Sequence, residues 1–510
     1  MAAMSAPPYA QLEQEWKRLH ALRGALALLR WDAAVMMPRG SADIRGEQLA
    51  ALETEYHSML TAPRVSRLLE RAQANASALD EWQLANLREM RRERDHAIAT
   101  PASLIARLAK ATSRAESKWL EARTQGKFEL LAPHLEEVLH LVRDKAALLG
   151  QATSLAPYDA LLDEFSPGLT TAEVDALFKA YSRRLPSLIR EAIELQETRP
   201  ILPISGKFSP GRQRMLISEV MKTMGFDFDR GRLDASDHAF TEGVPGDIRI
   251  TTRFAANEPF SGLLGALHEL GHAIYGSSLP AAWAGQPVGR DRGMAIEESQ
   301  SLLLEMIVVR SRPFVQYLRP LLEKHFGVSG PEWEPENIFR HLLRVQRGLI
   351  RVDADELTYN AHILLRYDLE KQLLGGELAV RHLPEAWNAA MDARLGVIPT
   401  SDSEGCLQDI HWALGSFGYF PSYSVGAAVA AQFMEVLRRD VPLLDTQIAA
   451  GDFTGLFGWL RDHVHNLGSK QPTPQLVREV TDKPVSALCA LRYLESKYLE
   501  GAEGRTSAAA

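Results

Sequence analysis

Two histidines four residues apart constrain this chain more than any other feature. His268 and His272 stand in the run Leu263-Leu-Gly-Ala-Leu-His-Glu-Leu-Gly-His-Ala-Ile-Tyr275. A helix sets residues four apart on one face, so this stretch must be helical if both imidazoles are to meet one ion. Glu269 follows the first of them and can touch a metal-bound water without being a ligand itself. Two ligands, an open coordination position and a general base form the minimal apparatus of a zinc peptidase.

Most of the remaining sequence also reads as helix. Thr100-Pro101 reads as a helix start, a capping residue followed by proline at the first helical position. Leu104, Leu108, Ala111, Ala115, Trp119 and Ala122 then recur at three- and four-residue steps, and Gly126 reads as the stop. Pro133, Pro186, Pro280, Pro313 and Pro331 punctuate other long helical stretches. The 510 residues contain no internal repeat and no low-complexity linker. The expected architecture is therefore mainly α: one large helical body over residues 9–500, with two lobes around a groove. Residues 1–8 and 501–510 read as a disordered start and a frayed tail.

Composition excludes several functions. A net charge of −8 argues against a nucleic-acid or anionic-membrane surface. No apolar run is long enough to span a bilayer, and the first residues lack the basic-then-apolar order of a secretory signal. The two cysteines, Cys406 and Cys489, are too few for a disulfide framework and lack metal-ligand spacing, which fits a reducing compartment, the cytoplasm.

One segment breaks the helical pattern. Gly246-Asp-Ile-Arg-Ile-Thr-Thr-Arg-Phe254 alternates with period two, with Ile248, Ile250, Thr252 and Phe254 on one face and Asp247, Arg249, Thr251 and Arg253 on the other. It reads as a half-buried strand about a dozen residues before the histidine helix. An edge strand in that place can pair with an extended peptide. Zinc needs a third protein ligand, and the next acidic stretch is Met294-Ala-Ile-Glu-Glu-Ser-Gln-Ser-Leu-Leu-Leu-Glu305. Spacing alone leaves Glu297, Glu298 and Glu305 open.

Beyond the histidine motif, a series of segments resembles the carboxypeptidase Taq family of metallocarboxypeptidases. Arg30-Trp-Asp-Ala-Ala-Val-Met-Met-Pro-Arg-Gly40 with Arg45-Gly-Glu-Gln-Leu49 looks like the family's N-terminal signature. Asp247-Ile-Arg-Ile-Thr251, Glu298-Ser-Gln-Ser301 and Ile350-Arg-Val-Asp-Ala-Asp355 match further motifs. So does Gly405-Cys-Leu-Gln-Asp-Ile-His-Trp412, which runs on into Gly418-Tyr-Phe-Pro-Ser-Tyr423. These motifs occur in order over nearly the whole chain. The resemblance implies Glu298 as the third ligand beside His268 and His272, zinc as the metal with cobalt as a substitute, and Glu269 as the base. It also implies a two-lobed helical fold with a deep central groove and a small β-sheet near the active site. The lobes would be an N-terminal one over about 9–200 and the metal site with the groove over about 235–430. The implied protein is a homodimer that removes single residues from the free C-termini of peptides, with broad specificity.

Within those motifs, Tyr423 and His411 carry the donors suited to a tetrahedral oxyanion, with Tyr419 as a second tyrosine. Recognition of a free carboxylate calls for arginine, whose planar fork binds it bidentately; Arg351 is the first choice, Arg249 the second and Arg253 the third. Two departures from the family stand out. Its His-Pro-Phe motif is His238-Ala239-Phe240 here, which loosens that loop while keeping His238 as a substrate contact. The position before the liganding glutamate, often His in the family, is Glu297. A zinc oligopeptidase or dipeptidyl carboxypeptidase would share the ligands and the groove and is the alternative reading. A silent peptide-binding protein would have no use for Glu269.

Overall fold

The computed structural model describes residues 6–236 and 238–500, with the side chain of residue 500 excluded. The tail expected at 501–510, and most of the start expected at 1–8, lie outside the described residues. Four helices open the chain: Pro8–Val35, Ala42–Thr61, Pro63–Ala74 and Glu81–Ala99. Two of them begin on proline, whose missing N–H costs nothing in the first turn. The fourth begins on a capping box in which Asp80 and Gln83 each accept the other's backbone N–H. These helices close on a small apolar core of their own, built from Leu12, Trp16, Leu19, Leu68, Leu87 and Met90. A larger core gathers residues from Leu104 to Tyr498.

The helix expected after Thr100 runs Ala102–Gln125 and buries Leu104, Ala111, Ala115 and Ala122. Thr100 ends the preceding helix, and Pro101 takes the capping position without a side-chain bond. Gly126 stops it as expected, at φ +66°. Pro186 does not punctuate: it lies inside the helix Thr171–Glu197. It removes one backbone bond, yet the buried Tyr181, Leu185, Leu188 and Ile189 hold the helix on both sides of the gap.

The period-two segment forms β3 (Asp247–Thr252), preceded by β1 (Gly231–Ala235) and β2 (Phe240–Val244). The strand order is β1-β3-β2, with β1 parallel to β3 and β2 antiparallel to it. β3 is therefore the central strand, and the edge beside the groove is β2. Sequence periodicity reveals a half-buried strand but not its neighbours, which is why the edge was expected one strand too late. Gly243 allows the β2–β3 hairpin to close: its φ is +144°, and a Cβ there would stand 2.1 Å from the Asp247 carbonyl oxygen.

Behind the sheet lies the histidine helix, Ser261–Ser277, followed by the helix Met294–Leu302 and a π-helical continuation, Leu303–Val309. Glycine sets how closely Met294–Leu302 is gripped. On one side Gly271 packs against Gln300 and Ser301; on the other, Gly426 of the helix Pro421–Asp440 packs against Glu298 and Ser299. Side chains at either glycine would push Glu298 out of place. A cleft of about 1780 Å³ opens over these helices and β2.

Candidate active site

His268, His272 and Glu298 meet on the cleft floor, with one ligand atom from each lying within 4.8 Å of the others. The His268 Nε2 is 3.7 Å from Glu298 Oε2. Glu298 is buried, and the Ser301 hydroxyl lies within bonding reach of its carboxylate at 3.1 Å and its carbonyl oxygen at 3.0 Å. The set fits a divalent ion on three observations. Two imidazoles and one carboxylate are a zinc-type donor set with room for a fourth ligand. The His272 Nδ1 is buried with no hydrogen-bond partner. Burial raises Glu269 to about 7 and also raises Glu298, although His268 pulls both down; the same carboxylates with Glu305 lift His268 to about 9 against its burial, so the negative charge gathered on the floor calls for a cation. Burial brings His272 down to about 3, leaving it a neutral donor.

Glu269 is buried beside this cradle. The Thr241 hydroxyl on β2 lies 2.7 Å from its Oε2, so the edge strand orients this carboxyl group. Glu297, the departure from the family pattern, faces the second histidine, with its Oε2 3.8 Å from His272 Nδ1. Glu305 binds the far side of the other histidine: its Oε2 is 3.1 Å from His268 Nδ1 and its Oε1 accepts from Arg310 Nη2 at 2.6 Å. Of the three acids left open by spacing, Glu298 alone joins both histidines in the cradle.

The opposite wall is made by the motifs around Arg351 and His411. Arg351 is buried; its Nε and Nη2 donate to Asp409 Oδ1 at 3.0 and 2.9 Å. Its Nη1 reaches the Tyr359 hydroxyl at 3.4 Å. Arg366 donates to the other Asp409 oxygen at 2.6 Å. Despite burial, the two guanidiniums hold the Asp409 carboxyl far below the usual carboxylate range. Gln408 ties the two motifs together, its Oε1 accepting from the Arg351 backbone N–H at 2.9 Å and from Arg366 Nη2 at 2.7 Å. Asp355, the last residue of the Arg351 motif, caps the helix Glu356–Gly375 by accepting from the N–H groups of Leu357 and Thr358.

His411, Tyr419 and Tyr423 line the cleft beside Arg351, with the two tyrosine rings 5.3 Å apart. Burial lowers His411 to about 4, with Arg351 and Arg366 adding to it against Asp409, so the ring is neutral near pH 7. Burial pushes Tyr423 up to about 12. His238 is exposed at the cleft wall, in a loop held by Thr251, whose hydroxyl accepts from the Phe240 N–H at 3.0 Å. Arg253 lines the cleft as well and is exposed.

Arg249 goes elsewhere. It is doubly bonded to Asp247 at 2.8 and 2.9 Å and lies 4.3 Å from the ring centre of Trp31 in the first helix. Arg232 approaches the same ring at 4.8 Å. An alternating strand sends Arg249 to the face away from Ile248 and Ile250, and that face meets the N-terminal helix. The N-terminal signature makes structural contacts: Trp31 stacks under two arginines, and Asp32 pairs with Arg45 at 2.7 Å. Thr241, Tyr359 and Asp409 were not singled out from sequence. Asp409 lies inside a quoted motif, but nothing local told that it would hold Arg351.

A model of the carboxypeptidase Taq (M32) metallopeptidases matches residues 11–498. Thermostable carboxypeptidase 1 of Thermus thermophilus is 36% identical over 483 residues, covering 92% of this chain and 94% of that one. Carboxypeptidase 1 of Bacillus subtilis is 31% identical, covering 94% and 96%. Among solved structures, metallocarboxypeptidase 1 of Trypanosoma cruzi superimposes with a TM-score of 0.95 at 36% identity, covering 97% of this chain and all of that one. An M32 carboxypeptidase from Deinococcus radiodurans gives 0.91 at 33% identity, with 97% and 99% covered.

Proposed function

Because the chain belongs to the carboxypeptidase Taq (M32) family of metallopeptidases and is a metallocarboxypeptidase, we propose that His268, His272 and Glu298 hold its metal ion, zinc, with cobalt as a working substitute. The observation that carries this reading is the convergence of those three donors within 4.8 Å beside the buried Glu269. The ion supplies Lewis acidity toward water and toward the scissile carbonyl. Glu269 accepts a proton from the attacking water and returns it to the leaving amine, a role suited to a carboxyl raised by burial to about 7. Tyr423 and neutral His411 donate hydrogen bonds to the carbonyl oxygen as it gains charge. His238 and Tyr419 contact the peptide along the cleft.

Arg351 receives the terminal carboxylate. Its Nε and Nη2 are engaged by Asp409, so it offers Nη1 and works together with the Tyr359 hydroxyl. Asp409 thereby fixes the plane of the guanidinium before substrate arrives, which lowers the ordering cost of binding. β2, the cleft-side edge strand, supports an extended peptide along the groove. The reading extends to a homodimer in the cytoplasm. The family resemblance implies the pairing, and both cysteines are buried and free, as a reducing compartment favours. No helix among the described residues is long and apolar enough to cross a membrane.

The test is mass spectrometry of one short peptide, with free and with amidated C-terminus, incubated with the zinc- or cobalt-loaded protein. Stepwise loss of single C-terminal residues from the free acid alone is expected. Internal cleavage of both peptides would support the oligopeptidase reading instead.

A further inference from the structure

We propose that Glu305 is a positioning residue for the metal ligand His268, and that the π-helical winding of Leu303–Val309 is what aims it. The inference rests on the metal site proposed above. An imidazole that coordinates through one ring nitrogen keeps an N–H on the other, and the acceptor of that N–H fixes both the tautomer and the ring plane. His268 turns Nε2 toward Glu298 and Nδ1 toward Glu305, at 3.7 and 3.1 Å. The second oxygen of Glu305 is taken by Arg310 at 2.6 Å, so the carboxylate is itself held from behind. Both of its oxygens are thus engaged away from the cradle. The order Arg310–Glu305–His268 is a carboxylate–histidine support of the kind that raises ligand basicity.

The backbone supplies the second observation. Glu298 and Glu305 are seven residues apart. Seven residues are close to two full α-helical turns, which would stack Glu305 about 10 Å above Glu298 on the same face. The segment instead winds as a π-helix from Leu303 to Val309, and all seven of its residues are buried. Bonding from i to i+5 takes up an extra residue and turns Glu305 out of that row. A π stretch in the core is a rare geometry and needs its altered carbonyls satisfied. Lys497 donates to the Met306 carbonyl at 2.5 Å. The same ammonium is held by Glu356 at 2.7 Å, and Tyr493 and Tyr498 donate to Glu356 at 2.8 and 3.1 Å.

The test measures the affinity of the full-length protein for cobalt(II) by competition with a chromophoric chelator, together with the visible absorption of the bound ion. Glu305→Gln is expected to weaken cobalt binding roughly 10- to 100-fold and to shift the absorption bands. Leu104→Ala, which opens a cavity under the helix Ala102–Gln125 and leaves the Leu303–Val309 stretch with its Lys497–Glu356 support intact, is expected to lower the melting temperature and leave cobalt affinity within twofold of wild type. Unchanged affinity and a superimposable spectrum in Glu305→Gln would overturn the proposal. So would an equal loss of affinity in Leu104→Ala, since metal binding would then only follow stability. If Glu305→Gln does not fold, Glu305→Asp keeps the charge, withdraws the carboxylate by one methylene and carries the same two outcomes. His268→Ala separates the two claims: if it binds cobalt as wild type does, the metal-site reading fails; if it loses cobalt while Glu305→Gln does not, only the positioning role fails.

Discussion

Gly271 and Ser301 touch through their backbones: a Cβ on Gly271 would stand 2.6 Å from the Ser301 Cα and 2.6 Å from the Gln300 carbonyl oxygen. The histidine helix and the helix that carries Glu298 can meet only because the fourth residue of His-Glu-Leu-Gly-His has no side chain. Gly271→Ala should therefore separate the helices. We expect a loss of about 1–3 kcal/mol in stability, the usual cost of overpacking a tight contact. Affinity for a divalent metal ion should fall as well, because Glu298 moves with its helix. Denaturant unfolding of the metal-free protein and a chelator competition measure the two effects separately.

Glu269→Gln preserves the shape of the buried side chain and removes its basicity. The variant should keep its fold and one bound metal per chain while kcat falls by roughly 10²–10⁴-fold. Turnover close to wild type in metal-loaded Glu269→Gln would end the proposed proton transfer. Metal analysis and initial rates on one free-acid peptide suffice.

Arg351→Lys keeps a positive charge and loses the fork that Asp409 holds. With charge-assisted hydrogen bonds of about 1.5–3 kcal/mol at stake, kcat/KM on a free-acid peptide should drop roughly 10- to 100-fold. The ratio of free-acid to amide cleavage should drop with it. Equal discrimination in wild type and variant would mean that another group reads the carboxylate.

Asp409 gives the fold an acid-sensitive point. Its folded-state pKa lies far below the ordinary 3.8, so the native state stays ionised where the unfolded chain takes up a proton. Its contribution is complete above about pH 4 and declines as pH falls below that. Asp409→Asn should flatten this part of the stability–pH profile. At neutral pH it should cost about 3–5 kcal/mol, because Arg351 and Arg366 are left buried without their counter-ion. Urea midpoints between pH 2 and 7 read both effects.

The helical body was legible because periodicity and caps are local. Leu104, Ala111, Ala115 and Ala122 lie where a three-to-four spacing puts them, and Gly126 ends the helix where a glycine should. The order of strands was not legible, since β1 and β2 carry little alternation and pairing depends on residues far apart. The same limit hid the partner of Arg249. Its face of β3 was readable, but that face meets Trp31, more than two hundred residues earlier in the chain. The three-way choice among Glu297, Glu298 and Glu305 turned on how the helix Met294–Leu302 is seated between Gly271 and Gly426, which spacing along the chain does not reveal. Thr241 and Tyr359 belong to ordinary-looking stretches and acquire their places only from the packing of β2 and of the helix Glu356–Gly375.

The first four helices close on a core of their own, and their longest helix contributes His20 and Arg23 to one wall of the cleft. That wall is tied to the rest of the molecule by polar pairs, among them Arg292 with Glu89 and Arg290 with Glu93, and by the stacked rings of Trp82 and Trp283. We expect a body with a separate core to act as its own cooperative unit and to open at a lower energy than the helices around His268 and Glu298. Amide hydrogens of residues 9–90 would then exchange as one block, ahead of those around His268. The enzyme would meet heat or denaturant with its metal still gripped and one bank of its channel already gone.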